Sequence, residues 1–264
     1  MMKITSRDNS LLRQARSVRD GKAEELIFVE GLRLCEEALR SGLEIEAVIV
    51  SNELAEKEKA ATLVAELAKA SRRVAAVSEK LLESISYTKS PQGMVLLAKR
   101  PSSDIEHFEA KQKENALVVV MHSINNPVNV GAILRTAEAA GATGAIATQE
   151  TSDPFSPKSL RGAMGSAFRL PVWSGPTYEE TLAWCRQHQI QTICADVHAS
   201  ASYDQVDWKQ PSALILGPES TGLTSEEIAV ADHAVKIPMS SAAESLNVAV
   251  AAGVLLYEAL RQRS

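Results

Sequence analysis

The chain has 264 residues, 45% of them hydrophobic and 23% charged, with a formal net charge of −5, which suits one large globular domain or two small ones. No run approaches the roughly 18 apolar residues of a membrane span, and the opening MMKITSRDNS lacks the apolar core of a secretory signal. Cys35, Cys185 and Cys194 are too few and too scattered for a disulfide framework or a zinc site, so a reducing cytoplasm is the expected compartment and no metal is expected.

Residues 1–22 hold six cations, Lys3, Arg7, Arg13, Arg16, Arg19 and Lys22, against Asp8 and Asp20. Several recur at three-residue steps, which on a helix makes a broad basic face. Such a face is either solvated or a contact for nucleic-acid phosphates, and both readings stand at this point. LIFVE (26–30) and IEAVIVS (45–51) read as strands, with GLRLCEEALRSG between them as a helix stopped by Gly42. An alanine-rich helix is predicted from about 53 to 70, then RVAAVS and GMVLLAK as strands. The segment KRPSSDIEHFEAKQKE is polar and follows a strand, so residues 101–113 are expected to be a linker. The predicted organisation is an αβ domain at 1–100, that linker, and a second domain at 114–264.

The second domain opens on ALVVVMH (116–122), a continuous apolar run of the kind that is buried on both faces of a parallel sheet. GAIAT, QTICAD and SALILG follow with helices between them, which predicts an α/β domain with a mainly parallel sheet. Ligands on such sheets sit beyond the carboxyl ends of the strands, so three loops matter.

The first is NNPVNVGAILRTAEAAGA, where Asn129 is expected to cap a helix starting at Val130. Arg135 lies off that helix's apolar stripe, with Glu138 as its simplest partner. The second is LILGPESTGLTSEE. Gly217 and Gly222 permit close backbone approach, Thr224 and Glu227 match a capping box, and Glu219 sits at the tip with no structural demand for a carboxylate. It matches neither a dinucleotide fingerprint nor a phosphate loop, which ranks a dinucleotide-dependent enzyme low. The third is VKIPMSSAAESLNVAVAAGVLLYEAL, with Ser245 as the expected helix cap and Leu246, Ala249, Val250, Gly253 and Tyr257 on one face.

Together the three loops resemble the motifs of the SpoU (TrmH) family of RNA ribose methyltransferases, within the SPOUT superfamily. Asn126 to Ala137 is similar to N-P-x-N-x-G-x-x-x-R-T-A, Gly217 to Leu223 to G-x-E-x-x-G-L, and Ile237–Met239 with Ser245–Ala251 to I-P-M and S-L-N-V-x-V-A. SPKSLRGAMGSAFRLPV (156–172) resembles the family's loop between the first two motifs. VEGLRLCEEAL and SPQGMV resemble its small substrate-binding domain. The first strand departs from the family, running into His122-Ser123-Ile124 where an aspartate is common.

The resemblance implies a carboxyl-terminal trefoil knot, a homodimer, and S-adenosyl-L-methionine as the methyl donor, with Gly217, Ile237 and Leu246 as its matching contacts. It implies Arg135 as the catalytic residue toward a ribose 2′-hydroxyl, with Asn129, Glu219, Ser245 and Asn247 arranging the site. A guanidinium with a pKa above about 12 is a poor base, so an electrostatic role for Arg135 is preferred. The front domain is more typical of members acting on large-subunit ribosomal RNA than on transfer RNA. The competing expectation is an RNA-binding ribosome assembly factor that keeps the fold without the chemistry.

Overall fold

The computed structural model describes residues 1–240 and 245–264 and divides into two units. The first comprises Met1–Pro101 and Phe155–Phe168, and the second Ser102–Pro154 and Arg169–Ser264.

In the first unit, short apolar runs form a five-stranded mixed sheet. The strands are β1 (Met2–Lys3), β2 (Leu26–Glu30), β3 (Ile45–Ser51), β4 (Ser71–Val77) and β5 (Met94–Lys99), in the order β1-β4-β3-β5-β2. β3 lies parallel to β4 and antiparallel to β5, and β5 is antiparallel to β2. Asn9 caps the helix Ser10–Arg19 by accepting from the Leu11 amide. That helix buries Leu11, Leu12, Ala15 and Val18 against Phe28, Ile49 and Leu97 of the sheet. Its cations are partly spent on the fold. Arg16 donates to the Arg7 carbonyl at 2.9 Å, and Arg19 pairs with Asp20 at 2.8 Å while reaching the Ser86 carbonyl at 3.3 Å. Lys3, Arg7, Arg13 and Lys22 remain exposed, so the basic face is narrower than its spacing predicts.

Residues 155–168, from the family-like stretch between the first two motifs, also belong to this unit. Their helix Pro157–Ala163 starts at Ser156, with proline in its first turn.

The second unit is a seven-stranded sheet in which every recorded pairing is parallel. Its strands are β6 (Leu117–Met121), β7 (Gly144–Ala147), β8 (Val172–Ser174), β9 (Gln191–Ala195), β10 (Ala201–Ser202), β11 (Ser212–Leu216) and β12 (His233–Lys236), in the order β10-β12-β9-β11-β6-β7-β8. All five residues of β6 and of β11 are buried, as the continuous apolar runs require. At the amino ends of these two strands Arg263 closes the sheet. It donates to the carbonyls of Asn115 and Ala116, both at 3.0 Å, of Trp208 at 2.6 Å and of Gln210 at 2.7 Å. Burial pushes this guanidinium below its usual value. No helix among the described residues is long and apolar enough to cross a membrane.

Residues 102–113 correct the expectation of a linker. They belong to the second unit and carry the helix Ile105–Glu109, capped by Asp104, which accepts from the His107 amide at 2.7 Å. Phe108 is fully buried, with ring centroids 5.2 Å from Trp184 and 6.2 Å from Trp173. A short helix with one apolar anchor has a polar average composition, and averaging conceals the anchor. Phe108→Ala should therefore cost about 3–5 kcal/mol, read as a lowered urea midpoint, whereas a true linker would show no change.

Candidate active site

From β6 the sheet grows one way through β7 and β8 and the other way through β11, β9 and β12. The loops at such a reversal are pushed apart and leave a crevice at the carboxyl ends of the strands. The loop after β6 holds the first motif, the loop after β11 the second, and the chain after β12 the third. The His122 amide donates to the Leu216 carbonyl at 2.9 Å, fixing the first two loops side by side.

Two helix caps differ from expectation. Asn126, not Asn129, caps the helix Pro127–Ala139 by accepting from the Val128 amide at 3.0 Å. Pro127 has no amide hydrogen to lose, so the helix starts earlier than the apolar stripe indicates. At the third motif Asn247, not Ser245, caps the helix Val248–Arg263, with its Oδ1 accepting from the Ala249 and Val250 amides at 3.0 and 3.4 Å. Ser245 lies exposed ahead of it.

These shifts free Asn129 for another task. It is 6% exposed, and its Oδ1 accepts from Asn247 Nδ2 at 3.3 Å, joining the first and third motifs. Its own Nδ2 is buried with no hydrogen-bond partner among the described residues. A buried amide without an acceptor carries a desolvation cost of about 1–3 kcal/mol, and an acceptor oxygen supplied by a ligand would relieve it.

Arg135 is exposed and makes no ion pair or hydrogen bond with any described residue. The expected Arg135–Glu138 pair does not form. Glu138 is instead gripped at both oxygens by Arg169, at 2.6 and 2.9 Å, a fork geometry that an Arg one turn away on the same helix does not offer as readily. A β-carbon on Gly253 would lie 3.7 Å from the Thr136 methyl, so the two motif helices cross closely there. The last helix buries a different stripe from the Leu246–Tyr257 face. Ala252, Leu255, Leu256 and Ala259 are buried, whereas Val250 and Tyr257 are 53% and 52% exposed.

In the second motif a β-carbon on Gly217 would lie 2.7 Å from Leu223 Cγ and 2.9 Å from the Leu223 amide nitrogen. Only glycine lets the loop fold back on itself here, as it does with the Gly222 amide donating to the Pro218 carbonyl at 2.9 Å. Glu219 is exposed at the tip. In the third motif Ile237 is half-buried, and Met239 and Leu246 are each 37% exposed.

A network that the sequence reading did not assign supports these loops. The expected capping box forms between Thr224 and Glu227. Glu227 also meets His122 Nε2 at 2.9 Å, and His122 Nδ1 meets Thr148 Oγ1 at 3.0 Å. Tyr178 packs on the imidazole at 4.7 Å and donates to the Glu227 carbonyl at 3.0 Å. His122 stands where the family commonly has an aspartate, so its only visible signal was that departure. Burial pushes the Glu227 carboxyl up, but the Thr224 amide and His122 outweigh it and hold the group below its ordinary range.

Among the described residues no three His, Cys, Asp or Glu side chains converge as metal ligands. The three cysteines are buried and unpaired. Burial pushes Cys185 up to about 12 and Cys194 up to about 11, and raises Cys35 as well, so none is a ready thiolate. What remains is a site of backbone amides, carboxamides, one unpaired guanidinium and exposed apolar side chains.

Residues 116–257 match the family model for the SpoU rRNA methylases, and residues 10–96 match the MRM3-like substrate binding domain. The 23S rRNA (uridine(2479)-2′-O)-methyltransferase of Streptomyces viridochromogenes is 33% identical over 196 residues, covering 72% of this chain and 68% of its own. The 23S rRNA (guanosine-2′-O-)-methyltransferase RlmB of Bordetella pertussis is 31% identical, covering 76% of this chain and 83% of its own. The solved structure of the AdoMet-bound rRNA methyltransferase from Sinorhizobium meliloti is similar with a TM-score of 0.86 and 30% identity, over 98% of this chain and 97% of that one.

Glu227→Gln tests the supporting network. A carboxyl held low in the folded state stabilises it above the ordinary glutamate range, and that contribution is lost as pH falls through the folded value. The variant should be about 1–2 kcal/mol less stable at neutral pH and should converge with the wild type in acid. Urea denaturation across pH reads both, and a constant gap would remove the charge from the account.

Proposed function

The chain belongs to the SpoU rRNA methylase family, and on that premise we propose that it transfers a methyl group from S-adenosylmethionine to a ribose 2′-hydroxyl of large-subunit ribosomal RNA. The observation that carries this reading is the Asn129–Asn247 bond, which joins two motif loops and leaves a buried amide without an acceptor. The residues fit the cofactor in kind. Gly217 gives a tight strand exit with backbone amides, and Ile237 and Leu246 offer apolar surface for an adenine and a methionine chain. Bound there, S-adenosylmethionine supplies a methyl group on a positively charged sulfur.

The chain's own residues then manage the hydroxyl. Its oxygen must become a nucleophile as its proton passes to solvent water at the exposed mouth of the site. Arg135 keeps its proton at any physiological pH, so its role is to stabilise negative charge developing on that oxygen and to position a neighbouring phosphate. No carboxylate among the described residues pairs with it, which leaves its charge available for this. Asn129 and Asn247 fix the floor of the site through their mutual bond, while Glu219 and Ser245 orient the sugar from the exposed loops.

The ribosomal rather than transfer RNA target is supported by the 23S rRNA activities named for the relatives and by the substrate-binding domain match. A homodimer in the cytoplasm completes the proposal. Val128, Val250 and Tyr257, 45%, 53% and 52% exposed on the two motif helices, leave an apolar stripe that a second copy would cover. A silent assembly factor of the same fold is the weaker reading, because RNA binding alone gives no use for the Asn129 amide.

Arg135→Ala should lower single-turnover methyl transfer by about 10²–10³-fold with calorimetric S-adenosylmethionine affinity and melting temperature unchanged. Arg135→Lys should recover part of the rate, because charge without the planar fork is a partial substitute. Wild-type transfer by the alanine variant would remove Arg135 from the chemistry. Gly217→Ala should have the opposite signature, with cofactor affinity lowered at least tenfold, roughly the 1.4 kcal/mol that displacing Leu223 would cost. Unchanged affinity there would move the cofactor away from the second motif.

A further inference from the structure

Two arginines of the first unit line one pocket, and neither has a carboxylate partner among the described residues. Arg33 lies in the first turn of the helix Leu32–Arg40. Arg161 lies in the helix Pro157–Ala163, distant in sequence but part of the same unit. Both are exposed, and neither makes an ion pair or hydrogen bond with a described residue. They border a cavity of about 200 Å³ together with Gly31, Thr88, Ser90 and Gln92. Two other exposed arginines of this unit are neutralised, Arg40 by Glu36 at 2.6 Å and Arg72 by Glu44 at 2.5 Å.

One carboxylate, Glu30, also borders the cavity, and it is already occupied. It is 7% exposed and accepts from the Tyr87 amide at 2.7 Å, the Thr88 amide at 3.2 Å and the Thr88 hydroxyl at 2.5 Å. Its work is to hold the 87–88 turn against the end of β2. The donors left facing the cavity are two guanidinium forks, the Ser90 hydroxyl and the Gln92 carboxamide, the set that recognises a phosphate diester. The helix start adds to it, since Gly31 provides no side-chain acceptor for the first-turn amides. Tyr87, beside Thr88, is 44% exposed and offers a ring on which a base can stack.

We propose that Arg33 and Arg161 form a clamp for the RNA backbone on the first unit, a docking point separate from the motif loops. The proposal rests on the reading above for its choice of RNA. With a net charge of −5 the chain as a whole does not attract a polyanion, so binding depends on local cations left unpaired. Two of the amino-terminal six are consumed within the fold, which shifts the expected contact from the basic helix to this pocket. The fold brings Arg161 to the pocket from a segment between the first two motifs, so the clamp uses residues from both halves of the sequence.

The test uses the full chain and a large-subunit rRNA transcript in filter binding across about 50–200 mM salt. Arg33→Gln with Arg161→Gln should weaken binding about tenfold at the middle of that range. It should also flatten the plot of log affinity against log salt by about 1.5, the share of two phosphate contacts. Each single variant should give about half the change, with S-adenosylmethionine affinity and melting temperature as in the wild type. Arg72→Gln removes the same charge from a paired site and should leave binding unchanged. An unaltered slope in the double variant, or an equal loss in Arg72→Gln, overturns the clamp. So does calorimetric binding of inorganic phosphate to the wild type but not to the double variant, with RNA affinity equal in the two, which would make the pocket a free-anion site. Binding is read without methyl transfer. If the slope falls but no 2′-O-methyl group is formed, the clamp stands and the proposed activity falls.

Discussion

Strand β6 is apolar at every position and buried throughout, so both of its edges must find hydrogen-bond partners and both of its faces must be covered. That one requirement organises the second unit. β11 and β7 satisfy the edges, in parallel, and parallel pairing sends every connection over a face and back to the same end of the sheet. All the loops that follow strands therefore gather along one edge. Arg263 seals the opposite end, using the last turn of the chain to satisfy carbonyls that the strand starts leave open. The two ends thus differ in kind: one is closed by a half-buried cation, the other carries exposed loops and unused donors.

The loop end is organised by carboxamides more than by charge. Asn126 and Asn247 each begin a helix, and Asn247 has one amide group left over to hold Asn129. An asparagine can do this because it carries an acceptor for the helix start and donors for a neighbour, which a serine hydroxyl cannot do simultaneously with two amides and a second side chain. Behind the loops, His122 stands between Thr148 and Glu227 and ties the end of β6 to the helix following the second motif. The departure from the family's usual residue at that position is accommodated by a complete set of partners, not by a gap.

Electrostatics divide the molecule by pairing. Arg169, Arg261, Arg40 and Arg72 are each held by a carboxylate and contribute to shape. Arg135, Arg33 and Arg161 are not held by any carboxylate among the described residues, and a guanidinium left so in a structured setting retains its charge for something outside the chain. In a protein with more acidic than basic residues, this selective pairing matters more than the net balance.

The sequence by itself determined the alternation of strands and helices, the burial of the 116–122 and 212–216 runs and the position of the three motif loops. It did so because periodicity and capping residues are local signals. It also carried the family resemblance, since motif order and spacing survive without knowledge of the fold. It could not show that residues 102–113 are folded, because a single buried phenylalanine is invisible in a polar average. It could not choose Asn126 and Asn247 as the caps, because a cap depends on where the tertiary packing lets the helix begin. Only the tertiary structure joined Asn129 to Asn247 across 118 positions, gave Glu138 to Arg169, set His122 against Glu227, and brought Arg161 into the first unit. Each of these is a contact between segments far apart in sequence, and such contacts are decided by how sheets and helices pack, not by any property of the neighbouring residues.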